Sequence, residues 1–471
     1  MKFSLKARLL FYRWTFGLLV VALAFYAGSW YTGHKAAPDL KRLYMQSMMV
    51  TDQPPVVFIH GVMGGKLRDT KTGEELWIGD YTRVVTSDYS DLSLKIDPDT
   101  LEPVVDGIES FDVADGIFGK DFYGRIVRTL HDIGGYKLAR PGDKIVNTEK
   151  NYYVFFYDWR QDNVLSASRL ADFIEQIRVD YGNPNLKVDI VAHSMGGLIT
   201  RYYIRYGRED VLNSNDFPVN MYGGKRVRRV ILLGTPNLGS ISILNFFIDG
   251  IKVGGTEKIK TETMATMPSL YQLFPHPLNN WIVTSKGKPL DRDLFDVNIW
   301  RRFQWSIFNP SVRERIRGKF ADGKDADLYL ATLEKYFEKR LERARRFVWS
   351  LTVPLPEKHP KLIVFGGGCD LTPARIVVEE FEGDSLIRMY PDQITKPEPG
   401  VDYNALLLEP GDGSVTKASL LGRDVLDPSI PRHKYSFFPL DHAFIMCEKH
   451  DSLTGNLTFQ DNLLNELLSR D

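Results

Sequence analysis

The chain has 471 residues, of which 43% are hydrophobic, 12% aromatic and 25% charged. That composition excludes a disordered or low-complexity protein and leaves room for a domain of about 250 residues plus a sizeable insertion. Lys plus Arg and Asp plus Glu each number 60, so net charge gives no reason to expect nucleic acid or another strongly charged partner. Cys369 and Cys447 are the only cysteines, too few for a disulfide scaffold or a cysteine-built metal site, and whether they pair stays open.

At the N-terminus, Lys2, Lys6, Arg8 and Arg13 precede an uncharged apolar run from Thr15 to Tyr31. A basic flank followed by such a run, with Trp14, Trp30 and Tyr31 at its ends, reads as a transmembrane signal anchor over residues 1–34. A cleaved signal peptide is the competing reading, since Ala22, Ala24 and Ala27 offer small residues near a cleavage point. Either reading puts the body on the extracytoplasmic side. Residues 35–55 read as a stalk.

The fold is expected to begin at Val56-Val57-Phe58-Ile59, a short β-branched and aromatic run bounded by Pro and Gly. Similar runs recur at Tyr152 to Tyr157, Val188 to Ala192, Val230 to Leu233 and Leu362 to Phe365. Strands this apolar belong to a sheet covered on both faces. Helical spacing of Leu170, Phe173, Ile174 and Ile177, and of Leu198, Ile199, Tyr202 and Tyr203, places helices between and after them. The alternation predicts an α/β fold with a mainly parallel sheet. The core would span 56–238 and 361–471, broken by an excursion at 67–119 read as a lid loop and an inserted cap at 239–360. The cap includes a long helix from Asp327 to Trp349.

Chemistry concentrates at Val191-Ala192-His193-Ser194-Met195-Gly196-Gly197. A strand running into Ser with small residues two before and two after it, followed by a helix, is the context of a nucleophile elbow. Ser194 is therefore the candidate nucleophile, and the N–H of Met195, the first of the helix, a candidate oxyanion donor. The Gly-rich turn His60-Gly61-Val62-Met63-Gly64-Gly65 after the first strand offers the Val62 N–H as the second donor, with His60 itself structural.

A base and an acid should follow in the order Ser, Asp, His. Asp370 and Asp412 both sit in Gly-rich turns late in the chain, and position does not separate them. For the base, His442 in Phe438-Pro439-Leu440-Asp441-His442 is the expectation. His450 is set aside because Glu448, Lys449 and Asp451 make its surroundings look solvated.

Together these residues resemble the lecithin:cholesterol acyltransferase family. The resemblance is carried by Gly61-Val62-Met63-Gly64 with Leu67 and Trp77, Tyr157-Asp158-Trp159-Arg160, the 192–197 elbow and Gly234-Thr235-Pro236. Pro268-Ser269-Leu270-Tyr271-Gln272-Leu273-Phe274-Pro275 and Gly411-Asp412-Gly413-Ser414-Val415 complete it. The resemblance implies an α/β-hydrolase fold, Asp412 as the acid, and lid and cap over a lipid-binding cleft. Trp77, Tyr271 and Phe274 are then candidate substrate contacts. His60 departs from the Pro of many members, and the disulfide cysteines of the animal enzymes are missing. Asp158 and Arg160 read as a partly buried structural pair.

The expected activity is that of a serine-dependent lipid acyl hydrolase or O-acyltransferase with no metal or cofactor. The rival readings are an amidase or peptide hydrolase with the same triad, and a non-catalytic, membrane-tethered binding protein. Lipid or another acyl ester is the expected partner, and no nucleic acid.

Overall fold

The computed structural model describes residues 17, 19–20, 39–45, 49–50, 52–114, 123–146, 149–253, 256–277, 281–356, 358–422 and 438–469. Among these, no helix is long and apolar enough to cross a membrane. The Thr15–Tyr31 run lies outside the described residues, apart from three of its positions. Residues 47–471 form one compact unit.

Seven strands build the central sheet: β1 Val56–Ile59, β2 Lys137–Leu138, β3 Asn151–Phe155, β4 Val188–His193, β5 Val227–Leu233, β6 Lys361–Gly367 and β7 His442–Met446. Their order is β7-β6-β5-β4-β1-β3-β2 and every pairing is parallel. β1, β3 and β4 are buried along their whole length, which is why these strands read as unbroken apolar runs. β2, with two exposed residues, and β7, whose residues are mostly exposed, lie at the two edges and carry no such run.

Helix α1, Asn163–Asp180, is capped by the Asp162 carboxylate, which accepts from Val164 N–H, and buries Leu170, Ala171, Ile174 and Ile177 on one side. Helix α2, Met195–Tyr206, is buried at every position, directly behind the elbow. Helix α3, Gly323–Ser350, is the cap helix and outruns the expected span at both ends. Its buried Leu330, Leu333, Phe337, Leu341, Ala344 and Val348 recur every three or four residues and seat it on the cap core. Helix α4, Leu457–Leu468, buries Phe459, Leu463, Leu464 and Leu467 against the face of the sheet that carries Phe58, Val154 and Phe365.

The 67–119 excursion is not a loop. Gly65–Asp69 pairs on its two sides with Glu75–Trp77 and Ile108–Val113 as a small antiparallel sheet. It is tied to the body by an ion cluster: Arg160, fully buried, meets Asp158 at 2.7 Å and Asp106 at 2.8 Å, and donates to Leu92 O. The expected Asp158–Arg160 pair is thus a three-member clamp reaching into the excursion. Burial works against the Arg160 charge, but the two carboxylates more than restore it. Arg160→Met leaves the buried Asp158 carboxylate without its cation, and unfolding stability is expected to fall by about 3–5 kcal/mol, read from denaturant titration.

Cys369 and Cys447 form a disulfide, with Cα atoms 5.0 Å apart, a normal separation for such a bond. The bridge joins the turn after β6 to the turn after β7 and closes a separation of 78 residues. On the chain-entropy account it stabilises the fold by about 4 kcal/mol. Both cysteines are exposed, so a reductant is expected to lower the melting temperature of the wild type and not that of a Cys369→Ser, Cys447→Ser variant.

Candidate active site

In a parallel sheet, loops at the carboxyl ends of strands converge on one rim, and a crevice opens where neighbouring strands connect in opposite directions. Here that point lies between β1, whose chain proceeds to β2 and β3, and β4, whose chain proceeds to β5. Ile59 of β1 pairs with Ala192 of β4, so the Gly-rich turn and the elbow leave the sheet side by side. A Cβ added at Gly61 would stand 2.8 Å from Ser194 Cβ, and only glycine permits this approach.

Ser194 has φ 53° and ψ −123°, a conformation costing a non-glycine residue about 1–3 kcal/mol. The turn is enforced from behind by contacts that leave no room for a side chain. A Cβ at Gly196 would meet His60 O at 2.5 Å and Ile59 O at 2.9 Å, and Gly197 is packed against Thr235. Ala192, where a glycine is common, is accommodated with no exposure at all.

The Ser194 hydroxyl lies 3.0 Å from Nε2 of His450, and His450 Nδ1 lies 2.8 Å from Asp412 Oδ2. A carboxylate only accepts, so Nδ1–H donates to Asp412 and Nε2 is left to accept from Ser194 O–H. Asp412 is 3% exposed. Its Oδ1 accepts from the backbone N–H groups of Ser414, at 3.0 Å, and Val415, at 2.7 Å, and its own carbonyl accepts from His450 N–H. Burial pushes the Asp412 carboxyl up, but the charge and hydrogen bond of His450 and the two amides prevail and hold it below 3.8. Burial likewise pulls the His450 imidazole down, and the charge and hydrogen bond of Asp412, with a contribution from Asp451, outweigh it and leave the ring above 6.5.

The structure thus brings His450, and not the expected His442, to Ser194. His442 opens β7, pairing with Ile363 near the start of β6, so it stands at the amino end of the sheet while Ser194 stands at the carboxyl end. Its ring is half exposed, with Nδ1 3.0 Å from Glu466. His450 follows the last strand by four residues, on the correct rim. Its charged neighbours are what hid it. Lys449 points outward and is exposed, while Leu453, just beyond, is buried. The usable signal was Ala443 to Met446 as a final strand, which makes the next loop the place for a base. Of the two acids, Asp412 is the one at the site. Asp370 pairs with Gly411 in a two-stranded ladder that presents Asp412.

Met195 follows Ser194 directly, and Val62 follows Gly61, which packs against Ser194. Met195 opens α2, so its N–H has no carbonyl a turn earlier to bind. Four rings fix the turn that carries Val62. Tyr157 O–H donates to His60 O, Trp77 Nε1–H to Met63 O at 2.8 Å and Trp159 Nε1–H to Gly65 O, while Tyr123 Oη accepts from Gly61 N–H. Trp77 is accordingly a buried brace of the turn and not a substrate contact. His60 plays the expected structural part, stacked 4.2 Å from Tyr157 and pulled down to about 4 by burial.

Tyr271 and Phe274 are also corrected. Both are fully buried among Phe247, Trp300 and Phe337, with Tyr271 O–H donating to Ala265 O. They form cap core because a wide aromatic cluster needs its own interior.

Residues 143–309 match the family model described as lecithin:cholesterol acyltransferase, a stretch that includes the elbow and Ser194. Over this stretch, about a third of its length, the chain is similar to that family. Among solved structures, the Tle4–Tli4 complex contains a chain 15% identical, with 89% of this chain and 98% of that one covered and a TM-score of 0.55, which shows a shared fold. The mature lipase BlEst2 of Bacillus licheniformis is 12% identical over 89% of this chain and 93% of its own, with a TM-score of 0.32. EstA from Clostridium botulinum is 13% identical over 92% and 91%, with a TM-score of 0.34.

Proposed function

We propose that the protein is a serine-dependent acyl hydrolase or O-acyltransferase acting on lipid esters through an acyl-enzyme on Ser194. One observation carries this reading: a serine held in a strained turn, hydrogen-bonded to a histidine that is hydrogen-bonded to a buried carboxylate. Backbone strain retained at a hydroxyl that is hydrogen-bonded to a histidine is a mark of function rather than of packing. His450 Nε2 takes the Ser194 proton as Oγ bonds to the ester carbonyl carbon, and the resulting imidazolium returns it to the departing alcohol. Asp412 holds the reactive tautomer, and the N–H groups of Val62 and Met195 receive the oxyanion. Water or a second alcohol then resolves the ester on Ser194. The family match supports the lipid acyl group as the substrate class.

A fluorophosphonate probe is expected to modify Ser194 in the native protein and to leave Ser194→Ala unmodified; folded wild type that takes no label refutes the reading. Mass spectrometry of membrane lipids incubated with the protein, with and without an added alcohol, separates the two outcomes. Free fatty acid marks hydrolysis and a new ester marks transfer.

We further read the body as lying outside the cytoplasm, on two supports: the anchor-like Thr15–Tyr31 run and an exposed disulfide, which persists in oxidising compartments.

A further inference from the structure

We infer that Tyr123 and His193 are positioning residues that form a hydrogen-bonded strut from the oxyanion turn to the backbone of His450. The inference rests on the acyl-transfer reading of Ser194 and deepens it. The strut has three bonds. Gly61 N–H meets Tyr123 Oη at 2.9 Å, Tyr123 Oη meets His193 Nδ1 at 2.9 Å, and His193 Nε2 meets the His450 carbonyl at 3.3 Å. Its polarity is set at both ends, because a backbone amide only donates and a carbonyl only accepts. Tyr123 accepts from Gly61, so its one proton goes to Nδ1. His193 then carries its proton on Nε2 and gives it to the His450 carbonyl. Of the two neutral tautomers, only Nε2–H satisfies all three bonds.

Burial favours that form. Tyr123 and His193 are buried side chains, and burial, aided by the neighbouring His450 charge, takes the imidazole of His193 down to about 3. Burial also pushes the Tyr123 phenol up, keeping its proton in place. The ring of His193 lies 4.9 Å from that of His450, so a charged His193 would repel the imidazolium formed during turnover, whereas a neutral one does not.

The geometry closes a loop. His193 is bonded through the chain to Ser194, Ser194 Oγ reaches His450 Nε2, and the His450 carbonyl returns to His193. The base is thereby held at both its ring and its backbone against the residue preceding the nucleophile. Tyr123 ties the same loop to the turn that carries the Val62 amide. The distances between nucleophile, base and oxyanion donor are set together by these two side chains, both of which are buried.

The test compares Tyr123→Phe, His193→Phe and His193→Gln by thermal unfolding, steady-state hydrolysis of a short p-nitrophenyl ester and the rate of fluorophosphonate labelling. A misplacement near 1 Å costs about 10²-fold, so Tyr123→Phe and His193→Phe are expected to lower both kcat and the labelling rate by about that factor with KM changed less than about twofold. His193→Gln, whose amide both accepts and donates, restores most of the loss. Labelling rates near wild type in folded Tyr123→Phe and His193→Phe overturn the strut while leaving the function intact. Equal losses in His193→Gln and His193→Phe also overturn it, by reducing the position to packing. Wild type that fails to label overturns the reading of Ser194 itself.

Discussion

His450→Ala is expected to lower kcat for ester hydrolysis by about 10⁶-fold, the cost of removing the base of a serine triad. His442→Ala should stay within about threefold of wild type, as a surface substitution does. The contrast follows from place on the sheet. His450 touches Ser194 Oγ and Asp412 on the carboxyl rim, whereas His442 pairs with Glu466 at the opposite end. The His442–Glu466 contact is half exposed and contributes at most about 1 kcal/mol to stability. Fluorophosphonate labelling of the two variants beside wild type decides the matter without any knowledge of the natural ester. Label lost in His442→Ala and kept in His450→Ala would reverse the assignment.

Asp412→Asn should lower kcat by about 10⁴-fold while the fold persists, because an amide presents N–H to the ring and selects the wrong tautomer. The same substitution tests the electrostatics of the site. In wild type, kcat/KM is expected to fall on acidification as His450 gains a proton, with a midpoint above 6.5, since Asp412 raises that group against the pull of burial. Without the carboxylate, burial is opposed only by the smaller contribution of Asp451, and the residual activity of Asp412→Asn should titrate with a midpoint lower than that of wild type. The linked effect on stability has two signs. Asp412, depressed when folded, stabilises above 3.8 and loses this as acid protonates it, while His450, raised when folded, stabilises below 6.5 and loses this as pH climbs through its folded value. An acid limb that fails to move in Asp412→Asn would mean that another group titrates in the wild type.

Much of this protein is legible along the chain. Val56–Ile59, Ile190–Ala192 and Val230–Leu233 are fully buried, and stretches of strand covered on both faces are mostly apolar. The elbow is legible for a local reason too, since the turn needs Ser194 among small residues. Periodicity marks the body of α1 and of α3, while their starts are set by the Asp162 and Asp322 caps, three or four residues before the expected ones. What stayed hidden depends on partners distant in sequence. β7 is an edge strand with a mostly exposed face, so it lacks the run that marks a buried strand, and without it His442 and His450 could not be assigned to opposite ends of the sheet. Trp77, Tyr271 and Phe274 look the same along the chain whether an aromatic side chain faces a cleft or a core. Only packing made one a brace and two an interior.

The sequence by itself determined the α/β alternation and the candidate nucleophile, because both are written in residues adjacent to one another. Tertiary structure alone decided which histidine meets Ser194, the pairing of Cys369 with Cys447 and the contact between Tyr123 and His193. Each of these joins residues separated by 62 or more positions. Their meeting is set by the order and direction of strands in the sheet, which no local pattern encodes.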